Sequence, residues 1–200
     1  MNKILISLLV SLGITGVAHA AGDAAAGQQK VAVCAACHGA DGNSPAPNFP
    51  KLAGQNENYL LKQLKDIQGG ARTVVEMTGM LNGMSEQDLA DIAAYFSSQN
   101  VQIGQAAADQ VAAGQEIYRA GIADKGVAAC TACHSPNGKG NNAAGFPSLS
   151  GQHATYVEST LNKFAAGERA NDPAGMMQDI AVKLNEAEMK AVSQYVQGLH

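Results

Sequence analysis

The sequence predicts an all-α fold made of two tandem domains related by internal duplication. Three observations carry that prediction. Phe49-Pro50-Lys51-Leu52-Ala53-Gly54-Gln55 returns 97 residues later as Phe146-Pro147-Ser148-Leu149-Ser150-Gly151-Gln152, with Tyr59 and Tyr156 following at the same distance. Apolar residues recur at helical spacing in 59–67, 89–96, 156–164 and 189–196, and no segment shows the alternation of a strand. A Cys-x-x-Cys-His pentapeptide occurs once in each half, at 34–38 and at 130–134.

Taken in order, residues 1–20 read as a secretory signal peptide. Lys3 supplies a positive start, 4–17 are an almost unbroken apolar run, and Ala18-His19-Ala20 has the small-x-small cleavage pattern. A run of 14 residues is short of the roughly 20 that a membrane-spanning helix needs. The mature chain is expected to be soluble and to work outside the cytoplasm. The first domain is expected over 21–103 and the second over 104–200, with 97–108 as a linker that has no repeat partner. Residues 27–36 read as helix. The segments 39–50 and 135–147 are rich in Gly, Pro and Asn and read as loops. The last helix of each half opens on a capping sequence, Ser85-Glu86-Gln87-Asp88 and Asn185-Glu186-Ala187-Glu188. An insertion of about nine residues before the second pentapeptide, within 118–127, reads as a loop around Gly121 and Gly126.

Composition narrows the function. The 200 residues include 36 alanines, 22 glycines, nine aromatic residues and no tryptophan, so each half has a thin core and should need a staple. The formal charge is −4 and the basic residues are scattered, which argues against nucleic acid as a partner.

All four cysteines lie in the two pentapeptides, each followed directly by a histidine. Chance predicts roughly 0.002 such pentapeptides in a chain of this composition. Two thiols about one helical turn apart can add to the two vinyl groups of one porphyrin, and the adjacent histidine then faces the iron. Cys34, Cys37, Cys130 and Cys133 are therefore expected to hold two covalent haem groups, with His38 and His134 as iron ligands. Zinc ribbons place their Cys pairs much closer together than the 92 residues between Cys37 and Cys130. A thioredoxin-like dithiol needs a preceding strand, which is missing.

An electron carrier also needs a sixth ligand on each iron. With the closing helices aligned at an offset of 100, Met77 falls opposite Met177, and no other methionine has a methionine partner. Met77 and Met177 are the expected ligands, with Met176 an alternative to its neighbour. Met80, Met84 and Met189 read as packing residues. His153 aligns with Asn56 at a helix start and reads as a surface or capping residue.

Cys-Ala-Ala-Cys-His-Gly-Ala-Asp-Gly-Asn at 34–43, Asn-Phe-Pro-Lys-Leu-Ala-Gly-Gln at 48–55, Glu-Met-Thr-Gly-Met at 76–80 and the closing Gln-Gly-Leu-His carry a family resemblance. Over the whole mature chain the sequence is similar to the two-haem class I cytochromes c of the bacterial periplasm, the cytochrome c-four family. The resemblance implies two helical cytochrome c domains with haem edges facing each other, and Met77 and Met177 as sixth ligands. It also implies a non-enzymatic shuttle of single electrons from a cytochrome bc complex to a terminal oxidase, without a small-molecule substrate and compatible with peripheral membrane association. The loop from Gly70 to Met77 is shorter than in some relatives, which implies a more exposed first haem. A rival reading is the dihaem electron-accepting subunit of a periplasmic dehydrogenase. A two-haem peroxidase is disfavoured by a methionine candidate in both halves.

Overall fold

A computed structural model describes residues 21–200, so the signal peptide expected over 1–20 lies outside the described residues. Among the described residues nine α-helices run in order: α1 (Ala24–Gln28), α2 (Ala35–His38), α3 (Glu57–Gln68), α4 (Glu86–Ser97), α5 (Ala108–Ala120), α6 (Thr131–His134), α7 (Ala154–Ala165), α8 (Met176–Ala181) and α9 (Glu186–Gly198). Among the described residues β-structure is limited to two isolated bridges, Ile122 with Val127 and Asn141 with Phe146. None of the described helices is long and apolar enough to cross a membrane.

Each half is built on a crossing between its first and last helix. In the second half, α5 meets α9 at Gly114, where an added Cβ would stand 2.2 Å from Ala191 O and 2.7 Å from Tyr195 Cβ. Only glycine permits so close an approach of two backbones. Gly27 plays the same part for α1 against Asp91 and Tyr95 of α4. The closing helices start where the sequence places them. Ser85 and Asp88, and Asn185 and Glu188, form reciprocal capping boxes that satisfy free N–H groups at each helix start.

The expected helix over 27–36 is interrupted. The helix α1 stops at Gln28, a turn follows, and α2 begins only at Ala35. Past the break, Lys30 pairs with Asp88 and Asp91 of α4, each at 2.6 Å, and Val31 turns into the core at 5% exposure. In the second half α5 runs unbroken for 13 residues, and a loop pinned by the Ile122–Val127 bridge then leads to α6.

The third helix of each half, α3 or α7, closes a small core. The first core comprises Val31, Leu60, Ile92, Ala93 and Phe96, with Cys34 and Met84 against its edge. The second is larger, built on Tyr118, Leu161, Phe164, Met189, Val192 and Val196, with Cys130 and Met177 packed against it. The linker lies along α9, where Gly104 N–H donates to Gln197 O at 3.1 Å and Ala107 N–H donates to Gln194 Oε1 at 3.0 Å.

Candidate functional site

Both pentapeptides fold alike. Cys34 and Cys130 precede the single turns α2 and α6, and the carbonyl of each accepts from the histidine N–H four residues on, at 2.9 Å in both halves. The two thiols of each motif thus sit about one turn apart, and none of the four is in a disulfide. Burial pushes the Cys34 thiol up and the Cys130 thiol up to about 11, so both are neutral thiols at the edge of an apolar core.

The histidines show what the site can hold. His38 and His134 are 8% and 7% exposed. His38 Nδ1 lies 2.9 Å from Pro50 O, and His134 Nδ1 lies 3.0 Å from Pro147 O. A carbonyl only accepts, so the proton is assigned to Nδ1 and the lone pair to Nε2. Burial lowers the pKa of both rings and keeps them neutral. A neutral imidazole oriented through Nδ1 with a free Nε2 is the form that ligates a metal. The proline in both cases belongs to the repeated Phe-Pro motif, which is thereby tied to the pentapeptide. Phe49 packs edge-on against His38, with ring centroids 6.3 Å apart.

After the histidine the chain must enter the left-handed region. Gly39 does so at φ 77°, but in the second half the residue is Ser135, at φ 65°. A fully buried tyrosine hydroxyl supports that strained position: Tyr118 Oη donates to Ser135 O at 2.7 Å. Tyr118 was not legible as a site residue, since the first half has Val31 at the matching position.

The methionines divide by environment. Met77 ends a 3-10 turn, Val75–Met77, and is half-buried. Met177 is also half-buried, its N–H held by Asp172 Oδ2 at 2.7 Å and its side chain against the second core that Cys130 contacts. Met176 and Met80 are 40% and 38% exposed, Met84 packs on the first core, and Met189 is buried in the second. The structure thus places Met177 and Cys130 on one core. Against the first core, where Cys34 also packs, the methionine is Met84, and Met77 stands outside that cluster.

The two halves meet across a seam with approximate two-fold symmetry that the sequence reading missed. Gln55 Oε1 accepts from Ser148 N–H at 2.7 Å and Gln55 Nε2 donates to Ser148 O at 2.8 Å. Reciprocally, Gln152 Oε1 accepts from Lys51 N–H and Gln152 Nε2 donates to Lys51 O, both at 2.9 Å. The repeated Phe-Pro motifs are therefore both the histidine anchors and the inter-domain contact. His153, expected as a surface or capping residue, also bridges the domains: its Nε2 donates to Ser44 O at 2.8 Å, and its side chain makes no helix cap.

The site joins two thiols and an oriented imidazole nitrogen twice over, in halves small enough to need a covalent staple, and this donor set fits haem c. The cytochrome c family model matches residues 24–100 and 111–200. The chain is 62% identical to cytochrome c4 of Pseudomonas aeruginosa, over 100% of both chains. It is similar to the crystal structure of reduced recombinant cytochrome c4 from Pseudomonas stutzeri, with a TM-score of 0.88, 56% identity, and coverage of 90% of this chain and 100% of that one. It is also 36% identical to a thiosulfate dehydrogenase electron acceptor of Thiomonas intermedia, over 86% of this chain and 81% of that one. The chain belongs to the cytochrome c family, as a two-domain electron-transfer protein of the dihaem cytochrome c4 type that carries two covalent haem c groups.

Proposed function

We propose that the protein passes single electrons in a periplasmic respiratory chain, from a cytochrome bc complex to a terminal oxidase, with no bond chemistry of its own. Cys34 and Cys37 hold the first haem and Cys130 and Cys133 the second. His38 and Met77 are the axial ligands of one iron, and His134 and Met177 those of the other. Domains 21–103 and 104–200 each carry one site, and residues 1–20 direct export.

The observation that carries this reading is the pair of Nδ1-to-proline carbonyl bonds, which prepare the same imidazole nitrogen in both halves. Bound haem supplies a one-electron couple, and histidine–methionine ligation favours a high potential. The chain's own part is to keep both histidines neutral and oriented, to bury them from water, and to hold the two domains in a fixed relation through the Gln55 and Gln152 contacts. A site whose ligands stay in place in both redox states needs little rearrangement on electron transfer.

The test combines intact mass with carbon monoxide binding. The mature mass should include two haem additions with no free thiols. Reduced wild-type protein should resist carbon monoxide, Met77→Ala should open only the first haem, and Met177→Ala only the second. If Met84→Ala opened the first haem while Met77→Ala left it closed, the ligand assignment would be overturned there; Met176→Ala is the same control for the second. A second reading, the electron-accepting subunit of a dehydrogenase, is favoured by the likeness to the Thiomonas intermedia electron acceptor. Rapid reduction by a purified thiosulfate dehydrogenase, with slow reduction by a bc complex, would select it.

A further inference from the structure

The chain contains two Asn-Gly dipeptides, Asn82-Gly83 in the first half and Asn137-Gly138 in the second. In such a pair the side-chain amide lies within reach of the next backbone nitrogen, and glycine offers no Cβ to block the approach and leaves the backbone free to turn. The fold treats the two pairs differently.

Asn137-Gly138 is locked. Asn137 Oδ1 accepts from Ser135 Oγ at 2.9 Å and from Lys139 N–H at 3.3 Å. Gly138 is buried, its N–H donates to Ser135 O at 3.2 Å, and its carbonyl accepts from Leu149 N–H at 2.6 Å and from Ser150 N–H at 3.1 Å. An added Cβ there would stand 2.7 Å from Leu199 Cδ2 and 2.9 Å from Ser150 N, so the peptide has no room to swing. Asn43, which precedes the small residue Ser44, is held as firmly. Its Nδ2 donates to Asp41 Oδ2 and Asn100 O, both at 2.9 Å, and its Oδ1 accepts from Gln102 N–H at 2.8 Å.

Asn82-Gly83 is open. Both residues are exposed, Gly83 stands at φ 76°, and an added Cβ there would meet nothing within 4 Å. Among the described residues neither the Asn82 side-chain amide nor the Gly83 N–H has a hydrogen-bond partner. The flanks, in contrast, are fixed: Gln68 Nε2 donates to Leu81 O and to Met84 O, both at 2.8 Å, Leu81 is 3% exposed, and Met84 packs on the first core. A free pair between two anchored neighbours can reach the attacking geometry without unfolding the loop around it.

We propose that Asn82-Gly83 is a self-modifying site at which Asn82 converts to aspartate and isoaspartate, with water as the only co-reactant. The Gly83 nitrogen loses its proton and bonds to the Asn82 side-chain carbonyl carbon, and the side-chain nitrogen leaves with that proton as ammonia, closing a five-membered imide. Water then opens the imide at either carbonyl. Opening at the side-chain carbonyl gives aspartate. Opening at the backbone carbonyl gives isoaspartate, which carries the main chain through the side chain and adds one atom between the anchored carbonyls of Leu81 and Met84. Either product places a new carboxylate in the first domain and none in the second, so the two halves age differently although they attach their cofactors alike.

The experiment ages the holoprotein in mildly alkaline buffer made with oxygen-18 water, because ring closure needs the deprotonated nitrogen. Digestion in acid stops the reaction, and fragmentation mass spectrometry reads the amide-to-acid change, the label and the isoaspartate linkage at each asparagine. Wild type should gain labelled acid at Asn82, faster as pH rises. Conversion at Asn137 should be slower by about tenfold or more, since several hydrogen bonds must open first. In denaturant the two sites should convert at similar rates. Asn82→Gln, whose longer side chain closes a larger ring, should abolish conversion in the loop and leave the slow rate at Asn137 unchanged. Equal rates at Asn82 and Asn137 in the folded holoprotein would overturn the proposal. So would an Asn82 that stays unlabelled when folded yet converts in denaturant, because the loop would then be closed to the attack.

Discussion

Gln152→Ala should weaken the inter-domain seam more than the equivalent Gln55→Ala, although the two amides make mirror-image contacts. Gln152 is the partner of both Lys51 N–H and Lys51 O, and Lys51 is 7% exposed. Truncation leaves two buried backbone groups unpaired, at about 1–3 kcal/mol each before local relaxation. Gln55 serves Ser148 in the same way, but Ser148 is only half-buried and water can replace the lost amide. The expected losses are about 2–4 kcal/mol for Gln152→Ala and about 1–2 kcal/mol for Gln55→Ala. For a chain of this size the larger loss is a fall in Tm of about 4–16 °C. Thermal unfolding of the holoprotein, followed by circular dichroism and by haem absorbance, gives the ranking. Weakening the seam should also separate one transition into two, because each half keeps its own core. Equal losses, or a larger one for Gln55→Ala, would refute the claim that burial of the backbone partners sets the cost.

Three further outcomes follow from other contacts. Gly114→Ala drives a Cβ to within 2.2 Å of a backbone oxygen of α9, so the helices must part, at about 1–3 kcal/mol measured by denaturant unfolding. Asp91 is held below the ordinary carboxylate range, first by the Asp23 N–H and then by Lys30 and Gln87. A depressed folded pKa adds stability above the ordinary value of about 3.9 that is lost as pH falls through the lower one. Asp91→Asn should therefore be less stable than wild type at neutral pH, and the gap should close in acid titrations below about pH 4. Met80→Ala and Met176→Ala remove side chains more than a third exposed. Both should change stability by less than about 1 kcal/mol, in contrast to loss of the buried Met189.

Much of the site is local in sequence and so was legible there. A Cys-x-x-Cys-His turn brings its thiols together over five residues wherever it occurs, and a capping box needs only the residue three positions on, which is why Ser85 and Asn185 were found. Duplication made the rest visible, because Phe49-Pro50 and Phe146-Pro147 announce themselves by repetition. The helix expected over 27–36 was not continuous: it stops at Gln28, and Lys30, past the break, pairs with Asp88 and Asp91 some 60 residues away.

The sequence by itself determined the helical class, the duplication, the cofactor chemistry and the closing helices, since each of these depends on neighbours within a few turns or on repetition. Only the tertiary structure decided how the halves dock. The repeated stretch from Phe49 to Arg72 keeps one offset of 97 against its partner, while the closing helices keep 100. Gln55, Tyr59 and Arg72 all lie in that stretch, and every one of them, with its partner, reaches across the seam. The constant spacing was a readable signal, but its meaning was not. A side chain that bonds 84 to 110 residues away does so because two folded surfaces meet, and that meeting depends on the shape of both domains at once.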